Sequence, residues 1–295
     1  MDKMQPIKNT ADPDILQDGD TYYLIFACRE GELAFRAFQC YQSTDLTNWS
    51  EPWVVLNFKD FPWAHKMGWA PTMTKFRDKY YICFCADQQI GIAVSDSPRG
   101  PFMDILGRPL IPYGTYGIQT IDPCLYVEND HMYLFWGQGK CFLAELDVTK
   151  GAAFKESPVC ISDEFYSQSS CTKPFDITIY NEAPDIVKIN NRYLLSWSIY
   201  DYRDARYRVR YAWADDIHGP YIQPRDEHGE LDNILIQGYG KTMGTGHACV
   251  AKYQGEYYLF YHRHAIPRKG YERETCRGKI QFLTEEKIRV VPEDI

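Results

Sequence analysis

The sequence lacks several features that would indicate particular functions. Its 295 residues carry 32 Lys and Arg against 40 Asp and Glu, giving a formal net charge of -8. A cationic face, which nucleic acids and anionic membranes require, is therefore not expected. No apolar run approaches the roughly 20 residues of a membrane helix, and Met1–Pro6 has no apolar core of a secretion signal. These absences predict a soluble cytoplasmic protein, the alternative being a secreted protein whose signal peptide has been removed.

Closely spaced cysteine pairs are also absent. The chain has ten Cys, of which Cys83 and Cys85 are one residue apart, and no Cys-x-x-Cys occurs. Structural zinc sites usually need such close sets. We therefore expect reduced cysteines in the core, because free cysteines are commonly buried and persist in a reducing compartment.

A long helical period of apolar residues is missing, and a repeat of strand-forming residues is present instead. Aromatic residues make up 15% of the chain, and they favour strands. A turn followed by an aromatic and aliphatic run occurs five times, at steps of 58, 52, 61 and 64 residues, each long enough for four short strands. The five copies are Gly19–Leu24, Arg77–Ile82, Asp130–Leu134, Asn190–Leu195 and Gln254–Leu259.

A second repeated position lies 11 residues before one fixed position of each run, which in the five copies is Tyr23, Tyr81, Tyr133, Leu194 and Tyr258. We call the set of these earlier positions the second register. Its five members, of which the first four precede Pro, are Asp12, Ala70, Asp122, Ala183 and His247. A constant offset indicates a strand, a turn and a returning strand in every copy, which is a hairpin. The sequence therefore predicts an all-β, five-bladed β-propeller with four-stranded antiparallel blades. We expect a single domain spanning 1–295.

Equivalent positions of the blades face one another across the channel of a propeller, so the second register predicts a ring of side chains. That ring and its neighbours carry Asp12, Trp69, Asp122, Glu182 and His247. Three carboxyl groups at one opening raise at least one pKa, and glycosidic hydrolysis needs one protonated and one ionised carboxyl group. The alternative interpretation is structural: Asp-Pro is a common turn opener, Glu182 could be solvated, and His247 could be a core residue.

Around this ring, Trp69 is a candidate stacking surface for a sugar. Three arginines are candidate partners for hydroxyl or carboxylate groups: Arg36, Arg206 and Arg273. The segments 57–65 and 162–180 are expected to shape the rim of the site.

Together these motifs resemble glycoside hydrolase family 43, five-bladed propellers that remove arabinose or xylose from plant polysaccharides. The resemblance spans nearly the whole chain. Its motifs are Ala11–Ile15, Trp69–Pro71, Ser95–Phe102, Ile121–Pro123, Gly244–His247 and Glu272–Cys276.

The resemblance implies an inverting mechanism. Asp12 would be the general base, Glu182 the general acid, and Asp122 would tune the pKa of the acid and orient it. Inversion implies base and acid carboxyl groups about 6.5 to 9.5 Å apart. Arg273 resembles an arginine that contacts substrate hydroxyls. His247 resembles an axial histidine that in several members contacts a central calcium or its waters, so the resemblance implies a structural calcium at the axis, with no cofactor required for the chemistry.

The expected substrate is an oligosaccharide or polysaccharide, and the expected activity is that of an α-L-arabinofuranosidase or β-xylosidase. Asp14 competes with Asp12 for the base role, and Asp12 is chosen because its register aligns it with Asp122. A retaining fructosidase is disfavoured, because the start Asn9–Asp14 differs from that of the fructosidases and Ile121 precedes Asp122 in place of Arg. A non-catalytic carbohydrate-binding propeller remains the alternative from another class.

Overall fold

The computed structural model describes residues 3–173 and 175–293. It forms five antiparallel sheets, each beginning with one inner strand. Every inner strand contacts the inner strand of the next sheet, and the fifth contacts the first. The sheets are therefore the blades of a closed five-bladed propeller, as the repeat predicts.

The strands follow one another from the channel outwards in each blade. Blades 1 to 3 contain β2 Asp14–Asp18, β3 Thr21–Ala27, β4 Ala37–Ser43, β5 Trp53–Asn57, β6 Trp69–Phe76, β7 Lys79–Ala86, β8 Gln89–Ser95, β9 Met103–Asp104, β10 Cys124–Glu128, β11 His131–Trp136, β12 Phe142–Asp147, β13 Ala153–Phe154 and the additional β14 Val159–Cys160. Blades 4 and 5 contain β15 Glu182–Ile189, β16 Arg192–Ile199, β17 Arg208–Ala214, β18 Ile234–Ile236, β19 Gly246–Tyr253, β20 Glu256–His264, β21 Arg273–Phe282 and β22 Ile288–Pro292.

The N-terminal strand β1, Ile7–Lys8, joins the last blade. It pairs with β21 beside Thr275 and Glu274. Just beyond this pairing, the Thr10 and Thr275 hydroxyl oxygens are 2.8 Å apart, and the Thr275 N–H donates to Thr10 Oγ1 at 3.1 Å. The two ends of the propeller sequence are thus held together by backbone and side-chain hydrogen bonds.

The core lies between neighbouring blades, in five clusters of buried side chains. Successive residues of a strand point to opposite faces, so each aromatic pair serves two clusters. Tyr80 packs between blades 1 and 2, whereas Tyr81 packs between blades 2 and 3. This alternation explains why aromatic pairs recur in the repeat. All ten cysteines are free, and eight of them are buried.

The five positions of the second register share an uncommon backbone conformation. Their φ angles are all positive: 57° at Asp12, 43° at Ala70, 54° at Asp122, 57° at Ala183 and 46° at His247. Residues other than Gly rarely adopt this left-handed region. In three blades the strand register also shifts at this point, as it does in a β-bulge. The backbone therefore turns at the same place in every blade, at the start of the inner strand or just before it.

Two residues further along, a second ring surrounds the channel: Asp14, Thr72, Cys124, Asp185 and Cys249. Three of its side chains accept a backbone N–H from the next blade, at 2.7 Å from Met73 to Asp14, at 3.1 Å from Leu125 to Thr72, and at 3.2 Å from Val250 to Asp185. These contacts link blade to blade around the axis.

Helical structure is limited to short segments in the part of the chain that the structure describes. The α-helix α1 covers Asp163–Ser167, and three 3₁₀ turns cover Gly31–Leu33, Phe58–Asp60 and Thr115–Gly117. No helix within residues 3–173 and 175–293 has the length and apolar character needed to cross a membrane.

Candidate active site

A cavity of about 790 Å³ opens at the channel entrance, which is within the range of about 300–1,000 Å³ of small-ligand sites. All six residues predicted for the site line it: Asp12, Trp69, Asp122, Glu182, His247 and Arg273. All five blades contribute, since the three acids, Trp69 and His247 each come from the start of a different inner strand, and Arg273 comes from β21 of blade 5. The predicted convergence of residues distant in sequence is therefore present.

Asp12 has the environment of an ionised carboxylate. It is 8% exposed, and its Oδ1 accepts a hydrogen bond from Arg273 Nη1 at 2.8 Å. His262 Nδ1 and His247 Nδ1 lie 3.1 and 3.5 Å from the same oxygen. Burial raises the pKa of Asp12, but Arg273, with smaller contributions from the two histidines, holds that pKa well below its ordinary value.

Glu182 has the opposite character. Burial raises the pKa of this carboxyl group to about 7, although hydrogen bonds lower it and the charge of Asp12 adds to the rise. Tyr207 Oη donates to Glu182 Oε1 at 2.8 Å, and Gln138 Nε2 donates to Oε2 at 2.6 Å. Glu182 is thus partly protonated near neutral pH, with both oxygens held in place.

Asp122 interacts electrostatically with the other two acids. Burial, followed by the charges of Glu182 and Asp12, raises its pKa well above the ordinary value. Its Oδ2 accepts the backbone N–H of Ala183 at 3.1 Å. Because Ala183 directly follows Glu182, this hydrogen bond fixes the backbone that carries the Glu182 side chain.

Two aromatic rings that contact the acids stack on each other: Tyr207 contacts Glu182, and His262 contacts Asp12. The rings of Tyr207 and His262 are 5.6 Å apart at an interplanar angle of 10°. Gly246 makes room for this stack, since a Cβ there would lie 2.1 Å from the Tyr207 ring. Burial, together with Arg273, lowers the pKa of His262 to about 3, so its imidazole is neutral.

His247 lies between two of the acids. Its Nδ1 is 3.5 Å from Asp12 Oδ1 and 3.8 Å from Asp122 Oδ2, and its backbone N–H donates to Ser198 Oγ at 2.8 Å. Burial lowers the pKa of His247. Calcium takes six to eight oxygen ligands, whereas His247 offers a ring nitrogen. Within residues 3–173 and 175–293, no set of three or more His, Cys, Asp or Glu side chains is arranged to hold a metal ion. The residues present therefore do not form a calcium cage by themselves.

Aromatic surfaces line other parts of the cavity. Trp69 is half-buried in the wall formed by blade 2. The Arg273 guanidinium lies 4.5 Å from the centre of the Tyr202 ring, which makes an edge contact with Tyr271 at 6.3 Å. Flat rings of this kind can stack on a sugar, while the charged groups bind its hydroxyls.

Some residues considered from the sequence lie outside the cavity. Arg36 lines it, but Arg206 forms an exposed ion pair with Asp204 at 2.7 Å and lines a separate groove. Asp14 belongs to the second ring, below the cavity lining. None of the described residues of 57–65 and 162–180, the segments expected to shape the rim, lines the cavity itself. The second segment instead packs into blade 4, where Phe165 stacks on Trp197 at 4.1 Å.

The sequence analysis missed several residues of the site. Gln138 lies in the loop after β11, Tyr207 immediately precedes β17, and His262 lies within β20. The 11-residue register marks only the entrance of each inner strand, so it gave no signal for these positions. His262 of β20 pairs with Gly246 of the inner strand β19, but the equivalent positions of the other blades are Ala27, Cys85, Gly137 and Ser198, so no repeat marks this histidine.

Comparisons with known proteins agree with this architecture. The model of the family "Glycosyl hydrolases family 43" matches residues 4–287. A β-D-galactofuranosidase of Aspergillus niger is 26% identical over 266 residues, which cover 83% of this chain and 71% of that protein. An arabinoxylan arabinofuranohydrolase of Paenibacillus polymyxa is 26% identical over 260 residues, covering 80% of this chain but only 40% of that protein. A β-xylosidase of Xylanibacter ruminicola is 25% identical over 240 residues, 69% of this chain and 67% of that protein.

Solved structures share the fold. A thermostable family-43 glycoside hydrolase superposes with a TM-score of 0.78 at 21% identity, covering 97% of this chain and 94% of that chain. An endo-1,4-β-xylanase from Bacteroides thetaiotaomicron superposes with a TM-score of 0.77 at 22% identity, covering 98% and 96%. The five-bladed architecture is therefore that of known glycoside hydrolases.

Proposed function

Because the chain belongs to glycosyl hydrolases family 43, we propose that it is an inverting glycosidase that releases a terminal L-arabinofuranose or D-xylose from an oligosaccharide. The observation that carries this proposal is the difference in pKa between two buried acids of one cavity, since the pKa of Asp12 is held low while that of Glu182 is raised to about 7. Glycosidases need this combination of an ionised and a protonated carboxyl group.

In this mechanism the terminal sugar binds at the bottom of the cavity. Glu182 donates its proton to the departing glycosidic oxygen as the bond from that oxygen to the anomeric carbon breaks. Asp12 accepts a proton from a water molecule whose oxygen bonds to the anomeric carbon from the opposite face. The products are a sugar of inverted configuration and a free alcohol, and a proton moves from Asp12 back to Glu182 through solvent before the next turnover.

Asp122 acts as a positioning group in this proposal. Its hydrogen bond to the Ala183 N–H holds the backbone of the acid. Burial and the charges of Glu182 and Asp12 raise its own pKa well above the ordinary value, which favours its neutral form beside Glu182. Trp69 and Arg273 would contact the sugar ring and its hydroxyls.

The sugar is proposed from the relatives, which carry the names arabinofuranohydrolase and β-xylosidase. Because another relative is named β-D-galactofuranosidase, a galactofuranoside belongs in the same substrate test. We also propose that no metal ion takes part in the chemical steps, and that any calcium at His247 has a structural role.

The test is release of aryl alcohol from aryl α-L-arabinofuranoside, β-D-xyloside and β-D-galactofuranoside. We expect turnover of at least one pentoside, and a loss of about 10²–10⁴-fold in the Asp12→Asn and Glu182→Gln proteins. The Glu182→Gln loss should shrink as the leaving group becomes more acidic, because such a group needs no proton. Binding without release of any glycoside would indicate the carbohydrate-binding alternative.

Proton NMR of the first-formed sugar tests the stereochemistry. Inversion is expected if Asp12 activates water. A retained anomeric configuration would contradict this role and would require a covalent intermediate.

A further inference from the structure

One wall of the cavity carries cations that lack counterions. Arg29 and Arg36 lie on the segment between β3 and β4, and Lys66 lies just before β6. None of the three forms an ion pair with any residue that the structure describes. The two other arginines of the cavity differ, since Arg203 pairs with Asp201 at 2.7 Å and Arg273 with Asp12 at 2.8 Å.

Arg29 is the most deeply placed of these cations. It is half-buried, and its guanidinium lies 5.2 Å from the centre of the Phe35 ring. Burial, followed by the charge of Arg273, lowers its pKa, while Asp12 and Glu272 act in the opposite direction without coming within ion-pair distance. A partly desolvated guanidinium without an anion is unfavourable. A ligand oxyanion would relieve this cost through paired, charge-assisted hydrogen bonds.

The exposure of the charged residues increases from the bottom of the cavity to its mouth. The three acids are 5–8% exposed, Arg29 is half-buried, and Arg36 and Lys66 are exposed. The cations therefore extend from the middle of the cavity to its mouth. A terminal sugar that reaches the acids would place the rest of its oligosaccharide along this wall.

A buried donor in the same cavity also lacks a partner. Arg273 is 8% exposed and lines the cavity, and its Nε makes no hydrogen bond within the described structure. Buried donors are normally paired, so this one indicates a ligand oxygen. The protein as a whole has a net charge of -8. The sign of this local set of unpaired cations is therefore opposite to the net charge of the protein.

We propose that Arg29, Arg36 and Lys66 bind an oxyanion carried by the substrate on the leaving-group side of the scissile bond. The group is a sugar carboxylate, as in a uronic acid residue, or a sugar sulfate ester. This inference deepens the proposed function and rests on it. The preferred substrates are thus acidic oligosaccharides with a neutral terminal pentose.

The experiment compares three pentose-terminated oligosaccharides of equal length: one with a uronic acid, the same one with its carboxyl group reduced to an alcohol, and a sulfated one. We expect kcat/KM to be about tenfold higher for at least one acidic form than for the reduced form. The preference should decrease as NaCl is raised, because salt screens exposed charges. The form with the larger ratio identifies the source of the oxyanion.

Variants test the residues. Arg29→Gln should lower the ratio of acidic to reduced kcat/KM several-fold, and the exposed Arg36→Gln and Lys66→Gln changes should lower it less. Arg108→Gln is the matched control, since Arg108 is an exposed arginine outside the cavity and should leave the ratio unchanged. A wild-type ratio near one, or equal losses on acidic and reduced substrates in Arg29→Gln, would overturn the proposal.

A binding measurement separates this inference from the proposed function. Calorimetry of the Asp12→Asn protein with the acidic and reduced oligosaccharides needs no turnover. A preference for the acidic form together with inactive wild-type protein would support the oxyanion site and reject the glycosidase mechanism. Turnover of aryl pentosides with equal binding of both oligosaccharides would do the reverse.

Discussion

Asp12 and Arg273 form a buried hydrogen bond of 2.8 Å although they are 261 positions apart in the chain. The bond joins the first blade to the last, directly beside the place where β1 pairs with β21. The ionisation of the proposed base therefore depends on closure of the propeller, since the positive charge that lowers its pKa comes from the opposite end of the sequence.

Replacing Arg273 by Gln should raise the pKa of Asp12, because burial then acts with less compensation. The acidic limb of the kcat/KM profile should move to higher pH, and kcat should fall by about 10²-fold or more. Measuring pH profiles on an aryl pentoside checks this. Arg206→Gln, which removes an exposed arginine outside the cavity, is the control. A weakened but unshifted profile would mean that Arg273 acts only on substrate binding.

The alkaline limb should report Glu182. Its pKa of about 7 predicts that kcat/KM falls above neutral pH as the acid loses its proton. The Tyr207 hydroxyl lowers this pKa by donating to Glu182 Oε1. Tyr207→Phe should therefore move the alkaline limb to higher pH while keeping the ring that stacks on His262.

Tyr113→Phe is the control for this change, because Tyr113 is 66% exposed and lies outside the cavity. An alkaline limb that stays in place in Tyr207→Phe would show that Glu182 is not the group that titrates there.

The blades could be predicted from the sequence because each of them solves the same packing problem. Tyr80 and Tyr81 fill two different interblade spaces, so a pair of large apolar or aromatic residues recurs at this place in every copy. The 11-residue offset also recurs in all five copies, and it allowed the convergence of Asp12 and His247 to be predicted across 235 residues.

Residues outside the repeated strands could not be predicted in this way. Gln138 contacts Glu182 from a loop after β11, and Arg29 lines the cavity from a loop after β3. Loops are not constrained by interblade packing, so their residues carry no register. Segment 162–180 was expected to shape the rim, but its Phe165 is buried against Trp197 in the core.

The second ring should make stability depend on pH. Burial raises the pKa of Asp14 to about 7, although the N–H of Met73 lowers it. The folded state then holds a proton that the unfolded state releases above about pH 4, so this contribution to stability is complete at low pH and is lost as the pH rises through 7. Burial, followed by the charge of Asp14, also raises the pKa of Asp185. Asp185 faces Asp14, Cys124 and Cys249 in this ring.

Asp14→Asn should therefore reduce the decrease in unfolding free energy between pH 5 and 8, by about 1 to 2 kcal/mol since Asp14 is only half-buried. Urea unfolding at both pH values measures the effect. Asp96→Asn, an exposed carboxylate paired with Lys79, is the control. An unchanged decrease in Asp14→Asn would place the titrating proton on another group.

Chelation tests the role of a metal ion at His247. If calcium is structural, EDTA should leave kcat of the folded enzyme unchanged within about twofold, while the midpoint of thermal unfolding decreases and is restored by added calcium. If no ion binds, neither quantity changes. A large loss of kcat at temperatures where the protein remains folded would contradict the proposal that no metal ion takes part in the chemical steps.

Closure of the propeller should depend on the hydroxyl group of Thr10. Thr10 Oγ1 accepts the Thr275 N–H at 3.1 Å and also lies 2.8 Å from the Thr275 hydroxyl, in a fully buried position. Thr10→Val keeps the shape but leaves that N–H unpaired, which costs about 1–3 kcal/mol. Urea unfolding should show this loss, whereas Lys8→Ala on the exposed side of β1 should show little. Because the same junction holds Arg273 against Asp12, a destabilised junction should also lower kcat/KM before global unfolding begins.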